Sequence, residues 1–339
     1  MMRGTWHWAG LLCVVVVAFA SPCAALSISQ VVDEISLTSY AAYLGGDDFL
    51  YTHLGDSRGL GKPQHDLARD NIYNEFQSFG LTTELDSFNW YSGANRWYSG
   101  TNVVGLLPGL KRPDDLYIIG AHYDSVSVAP GADDNGSGVA AVLECARVLS
   151  RYSFDATLVF IAFDCEEVGL VGSRWWVHDN PGANVKGMLS LDMIAFNYLD
   201  DPNTRDRVWI RAPDTGGYAA LKSSFADAVN QYGNGVIPVS GSGTGNSDHY
   251  PFQQAGYASA LIIERDDAHN TNYHKSTDAV ESTLYGRPYI DYWFAHGITS
   301  ATAGWLATEA NLHVPEPGTV ALVLLGLGML GARLLGRRR

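Results

Sequence analysis

The sequence predicts an α/β fold: a largely parallel sheet covered by helices on both faces. Short apolar or β-branched runs recur at residues 116–119, 157–163, 188–191, 207–210 and 258–263. Several are apolar throughout, as strands buried on both faces are. Helical patterns lie between them at 137–150 and 214–231, and strands alternating with helices imply parallel pairing. Acidic and imidazole side chains fall directly after the runs, where the ligand sites of such sheets gather.

Taken in order, the chain opens with a secretory leader over residues 1–25. Arg3 supplies the positive start, 9–20 the apolar stretch with Cys13 inside it, and Ala24 and Ala25 a small-residue cleavage site. That stretch is short for a membrane span of ~20 residues. Residues 28–43 and 65–79 read as amphipathic helices, with Leu67, Ile72, Phe76 and Phe79 on the apolar face of the second. Residues 82–89 alternate as a strand, and 101–107 form another short one. The helix at 137–150 is rich in alanine, valine and leucine. No internal repeat or linker breaks residues 26–313, which read as one catalytic domain. Cys145 lies about two turns into its helix, ~12 Å from the strand end that carries Cys165. A bridge needs Cα atoms within ~7 Å, so two buried thiols are expected.

Six residues read together as one metal site: His122, Asp134, Glu166, Glu167, Asp192 and His274. Imidazole plus carboxylate is the ligand chemistry of hydrolytic zinc. His122 opens His122-Tyr123-Asp124, and at i+2 in an extended segment Asp124 lies on the same side, placed to hold the histidine ring. Asp134 sits in a glycine-rich loop of little bulk, 130–138, beside Asp133. Glu166 and Glu167 leave a buried-strand run and point different ways, so one can bind metal while the other stays free as a base. Asp192 ends the run 188–191; His274 lies in a polar loop that also holds His269.

The motifs Ala121-His122-Tyr123-Asp124-Ser125, Gly131 to Gly138, Glu166-Glu167-Val168-Gly169-Leu170, Leu191-Asp192-Met193 and Tyr273-His274 occur in an order that resembles the secreted di-zinc aminopeptidases of metallopeptidase family twenty-eight. Ser247-Asp248-His249 is a further, weaker match. The resemblance implies a three-layer α/β/α sandwich with a mixed, mostly parallel central sheet of about eight strands. It implies two Zn²⁺, with Asp134 rather than Asp133 as the bridge. His122 and Asp192 complete one ion, and Glu167 and His274 the other. It makes Glu166 the base that accepts a proton from water and hands it to the leaving amine, and Tyr273 a further hydrogen-bond donor at the substrate. Glutaminyl cyclases share the fold and nearly the same ligands with one zinc, and non-catalytic members of the fold exist.

Residues 314–339 run from Val314-Pro315-Glu316-Pro317-Gly318 through an apolar stretch to Arg333 and Arg337-Arg338-Arg339. At ~1.5 Å per residue this helix is marginal for a ~30 Å bilayer core, and its arginines would stay cytoplasmic. The tail resembles the PEP-CTERM sorting signal of Gram-negative bacteria. That resemblance implies an exosortase-type processing enzyme as partner and transient inner-membrane anchoring through the C-terminal helix, then release or cell-surface association.

The formal charge is −14. Loss of Arg3, four tail arginines and Glu316 takes it to about −18, which argues against nucleic acid and anionic membranes as partners. Gly241-Ser242-Gly243-Thr244-Gly245 lacks the lysine of a phosphate loop and has no helix pattern after it. A serine-hydrolase reading of Ser247-Asp248-His249 therefore has no nucleophile elbow. Glu166 with Asp266 and Asp267 would give a negative rim suited to a protonated α-amine, so the expected partners are peptides with a free N-terminus, acted on by a monomer.

Overall fold

Eight strands form the central sheet of the computed structural model, which describes residues 26–46, 48–92, 96–265 and 269–313. The leader, the tail, Asp266 and Asp267 lie outside these residues. β1 (Thr82–Ser92) and β2 (Arg96–Leu107) are followed by β3 (Arg112–His122), β4 (Ala156–Phe163), β5 (Asn184–Leu191), β6 (Arg207–Arg211), β7 (Ile237–Gly241) and β8 (Ser259–Glu264). Their order is β1-β2-β4-β3-β5-β8-β6-β7. The middle four, β4, β3, β5 and β8, run parallel. The β1–β2 hairpin joins them antiparallel through β4, and β6 joins antiparallel through β8 with β7 parallel beside it. This is the mixed, mostly parallel sheet of about eight strands that was expected.

The helices are α1 (Ile28–Val32), α2 (Leu37–Gly45), α3 (Pro63–Ser78), α4 (Gly138–Leu149), α5 (Val171–Asp179), α6 (Gly216–Tyr232), α7 (His249–Gln254) and α8 (Tyr292–Glu309). Strand side chains alternate between two cores. Ile118, Val159, Ile161 and Met188 pack with Trp176 of α5 and Phe252 of α7. The alternate positions face the other layer, where Phe160 meets Phe76 of α3 and Tyr117 meets Trp305 of α8, centroids 6.4 and 5.9 Å apart. Residues Ser27–His313 form one compact unit. Cys145 and Cys165 are free, buried thiols.

Several elements differ from the sequence reading. The single helix expected at 28–43 is two, because Ser36 caps a new start: its side chain accepts from the Ser39 N–H, and its own N–H donates to Glu144 Oε1 at 2.5 Å. The hairpin strands run further than 82–89 and 101–107, since backbone pairing continues through Trp90, Tyr91, Trp97 and Tyr98, where the side chains are no longer buried on one face. The helices α5 and α8 and the strand β7 carry no clear period. α8 is mostly buried, and even its Thr299, Ser300 and Thr302 lie inside, so it has no exposed polar stripe to mark it. A six-residue helix, α7, does follow the glycine run, starting three residues after Asn246. Among the described residues no helix is long and apolar enough to cross a membrane.

Candidate metal centre

The parallel strands β3, β4 and β5 end side by side, which brings His122, Glu166–Glu167 and Asp192 to one edge of the sheet. His122 is the last residue of β3 and is buried. Its Nε2 lies 3.2 Å from Asp134 Oδ1 and 3.6 Å from Asp192 Oδ1. His274 Nε2 lies 3.1 Å from Asp134 Oδ2 and 3.2 Å from Glu167 Oε2. Asp134 therefore stands between the two histidines, one oxygen toward each. His122, Asp134 and Glu167 converge, and so do His122, Glu166 and Asp192, each set with donor atoms within 4.8 Å.

The backbone around these residues is held in unusual conformations. Cys165, Met193 and His274 have φ of 61°, 58° and 58°, a left-handed region that costs non-glycine residues energy and clusters at functional sites. Two glycines are required by space. A Cβ on Gly131, itself at φ 68°, would come within 2.3 Å of Asp134 O, and one on Gly138 within 2.2 Å of Leu191 O. Asn135 ties the loop to β5 by donating to Leu191 O at 2.8 Å and accepting from Gly138 N–H at 3.0 Å. Asn135 is fully buried, so its sequon pattern has no place for a glycan.

Asp133 points elsewhere. Its Oδ1 accepts from Ala195 N–H at 2.9 Å and its Oδ2 from Asn270 at 2.9 Å. Asn270 also donates to Glu264 at 3.0 Å and accepts from Tyr289. Asp278 accepts from the N–H groups of Asp133 and Asp134, at 2.8 and 3.1 Å. Sequence reasoning missed Asn270, Glu264 and Tyr289 because their partners come together only in the fold. Asp124 does more than was expected of it. It lies 3.5 Å from His122 Nδ1, which meets the Asp124 main-chain oxygen more closely, at 3.1 Å. Its carboxylate is engaged by the N–H groups of Glu166 and Glu167, at 3.1 and 3.2 Å.

Tyr273 stacks on His274 with centroids 3.8 Å apart and is half-exposed at the mouth of a 340 Å³ cavity. Met193, Asn246, Leu261 and Ile263 complete its walls beside the six site residues. His269 stacks on Tyr198 instead, at 4.4 Å. In Ser247-Asp248-His249 the serine meets Ser190 Oγ at 3.1 Å and the histidine Nε2 donates to Thr244 O at 2.9 Å. This is not the serine-to-histidine contact of a nucleophilic triad.

Electrostatics favour a cation here. Burial, reinforced by Asp192, Asp248 and Glu167 and opposed by His122, pushes Glu166 well above the usual carboxylate range. Burial and then Asp134 push Glu167 up to about 8. Burial would also raise Asp134, but hydrogen bonds from His122 and His274 hold it far below that range. Burial lowers His122, yet Glu166 and the hydrogen bonds of the three aspartates raise it overall. Crowded buried acids of this kind are relieved by a divalent ion, and two imidazoles with three or four carboxylates suit zinc.

Comparison with known proteins agrees with this geometry. The profile of Peptidase family M28 matches residues 102–287, more than half of the chain, and the chain belongs to that family. A PEP-CTERM protein-sorting motif matches residues 313–339, which points to export and sorting. The chain is 31% identical over 261 residues to leupeptin-inactivating enzyme 1 of Streptomyces exfoliatus, covering 73% of this chain and 54% of the relative. It is 34% identical over 188 residues to aminopeptidase YwaD of Bacillus subtilis, covering 53% and 40%. It thus spans about half the length of these curated relatives. Among solved structures, an aminopeptidase from Aneurinibacillus sp. strain AM-1 superposes with a TM-score of 0.70 at 18% identity, covering 85% of this chain and 97% of the other, which shows the shared fold.

Proposed function

We propose that the chain is an exported zinc-dependent aminopeptidase that removes N-terminal residues from peptides. The observation that carries this reading is Asp134 standing between His122 and His274, with Glu167 and Asp192 flanking and Glu166 beside them. His122, Asp192 and the shared Asp134 would hold one zinc ion; His274, Glu167 and Asp134 would hold a second. Zinc bound there supplies a Lewis acid for the scissile carbonyl and lowers the pKa of water toward ~7.

The protein's own groups supply the rest. Glu166 takes the proton of the attacking water and returns it to the leaving amine. Asp124 fixes the backbone of both glutamates and so keeps their side chains diverging. Tyr273, half-exposed over the cavity, donates a hydrogen bond to the substrate oxygen; burial and then Asp134 raise its pKa, so the hydroxyl keeps its proton and stays a donor. The acidic lining favours a positively charged α-amine, and an uncharged internal peptide would leave those groups unpaired.

The leader over 1–25 directs export, and the tail over 314–339 anchors the protein briefly in the inner membrane until an exosortase-type enzyme removes it. The catalytic domain, 26–313, then acts as a monomer outside the cell. Paired assays on an aminoacyl anilide and its N-acetyl form, with zinc analysis, test the activity. Blocking the amine should reduce kcat/KM at least about a hundredfold. Equal cleavage of the two would overturn the aminopeptidase reading, and one zinc per fully active chain would favour glutaminyl cyclase chemistry.

A further inference from the structure

Arg58 lies in the loop between α2 and α3, outside the residues matched by the family profile, and is fully buried. Among the described residues its guanidinium donates only to main-chain carbonyls. Nε reaches Tyr123 O at 2.7 Å, Nη1 reaches Leu50 O at 2.9 Å and Pro130 O at 2.5 Å, and Nη2 reaches Gly131 O at 2.7 Å. Its own N–H donates to Ser125 Oγ at 3.0 Å. Tyr123 directly follows His122, and Pro130–Gly131 lead into Asp133–Asp134. One planar group thus joins the chain just after one metal ligand to the chain just before another.

We propose that Arg58 is a positioning residue of the metal centre: by clamping these two segments it sets the separation of His122 and Asp134. The inference rests on the zinc reading above. Two features separate the role from ordinary packing. The fork directs its hydrogen bonds at four carbonyls at once, a geometry that a lysine ammonium with three donors cannot reproduce. Among the described residues the cation also makes no direct ion pair, while Asp278, Asp124, Asp134 and Glu167 are the acids that act on it through space. It therefore sets a fixed positive charge behind the acidic cluster without occupying any ligand oxygen. Burial lowers its pKa to about 10, so it stays charged at neutral pH.

The test compares the full chain with Arg58→Lys, which keeps the charge and loses the fork, and Arg58→Met, which loses both. Zinc affinity is read by chelator competition, coordination geometry by the visible absorption of the cobalt-loaded protein, and folding by circular dichroism and Tm. Both variants should bind zinc about 10- to 100-fold more weakly, the range for residues that support a ligand from behind, and Arg58→Lys should show an altered cobalt spectrum while folded. A lowered Tm with wild-type zinc affinity and cobalt spectrum would mean a purely structural role and overturn the proposal. So would failure of both variants to fold, which would make Arg58 a folding residue. If the unsubstituted protein binds neither zinc nor cobalt, the metal reading itself falls, and the clamp with it.

Discussion

Glu166 and Glu167 are chain neighbours whose N–H groups both bond to Asp124, yet their side chains meet different partners. Glu167 approaches His274 at 3.2 Å, while Glu166 converges with His122 and Asp192. The two carboxylates therefore separate under substitution. Glu166→Gln is nearly isosteric but accepts no proton, so kcat should fall about 10²- to 10⁴-fold with zinc content unchanged. Near-normal turnover in that variant would remove Glu166 as the base. Glu167→Gln should instead weaken one zinc ion, seen as loss of about half the metal during dialysis against a chelator; retention of all of it would exclude Glu167 as a ligand. At this scale much was readable in advance, because every site residue but His274 carries a local signature: a strand exit, a glycine loop, a doubled acid. The supporting partners Arg58 and Asn270 carry none, and Glu264, an acid at the exit of the run 258–263, bonds Asn270 rather than joining the ligand cluster. An isolated arginine or asparagine looks the same in a sequence whether it faces solvent or is fully buried.

At the scale of elements, α8 shows why some pieces escape notice. It is buried along most of its length, packs on α4 and α6, and places Trp305 against Tyr117 and Phe225. Trp305 is 1% exposed and its indole N–H reaches Ser224 Oγ at 3.1 Å. Trp305→Ala should cost about 3–5 kcal/mol of stability, read as a lower denaturant midpoint with little change in kcat for the molecules that remain folded. A loss below about 1 kcal/mol would show that the cavity collapses and that α8 is not the support inferred here. The strands of the middle sheet were legible because their apolar runs are bounded by turn residues. β7 and the outer parts of β1 and β2 were not, because those residues pair with a neighbouring strand without a buried face to give an alternating pattern.

For the whole molecule, the buried acids make stability depend on metal and pH together. Without metal, Glu167 sits at about 8 and Asp248 at about 7, both raised chiefly by burial. The folded state then holds protons that the unfolded chain has already released, so stability should fall as pH rises from 6.5 to 8. His249, held down to about 4 by burial, has the opposite effect, but only below its ordinary 6.5. The Tm of chelator-treated protein should drop across that window, and zinc should remove most of the drop; a Tm rising with pH would contradict the buried-acid account. Export makes a separate prediction. Mass spectrometry of protein released by the native host should find no peptide ending in Arg339, and an intact tail there would refute removal by a processing enzyme.

Which chemistry the chain carries was decided locally: ligand-type residues stand at strand exits, and the strand pattern alone implies that those exits share one edge. Folding decided the rest. Asp134 rather than Asp133 faces the histidines because Ala195 N–H and Asn270 hold Asp133 away, contacts from residues about 60 and 137 positions distant. His274 rather than His269 joins the cluster because His269 stacks on Tyr198. Spacing along a chain limits what can be near, but only packing determines which of two adjacent or equivalent groups turns inward, because that choice rests on hydrogen bonds to partners far away in sequence.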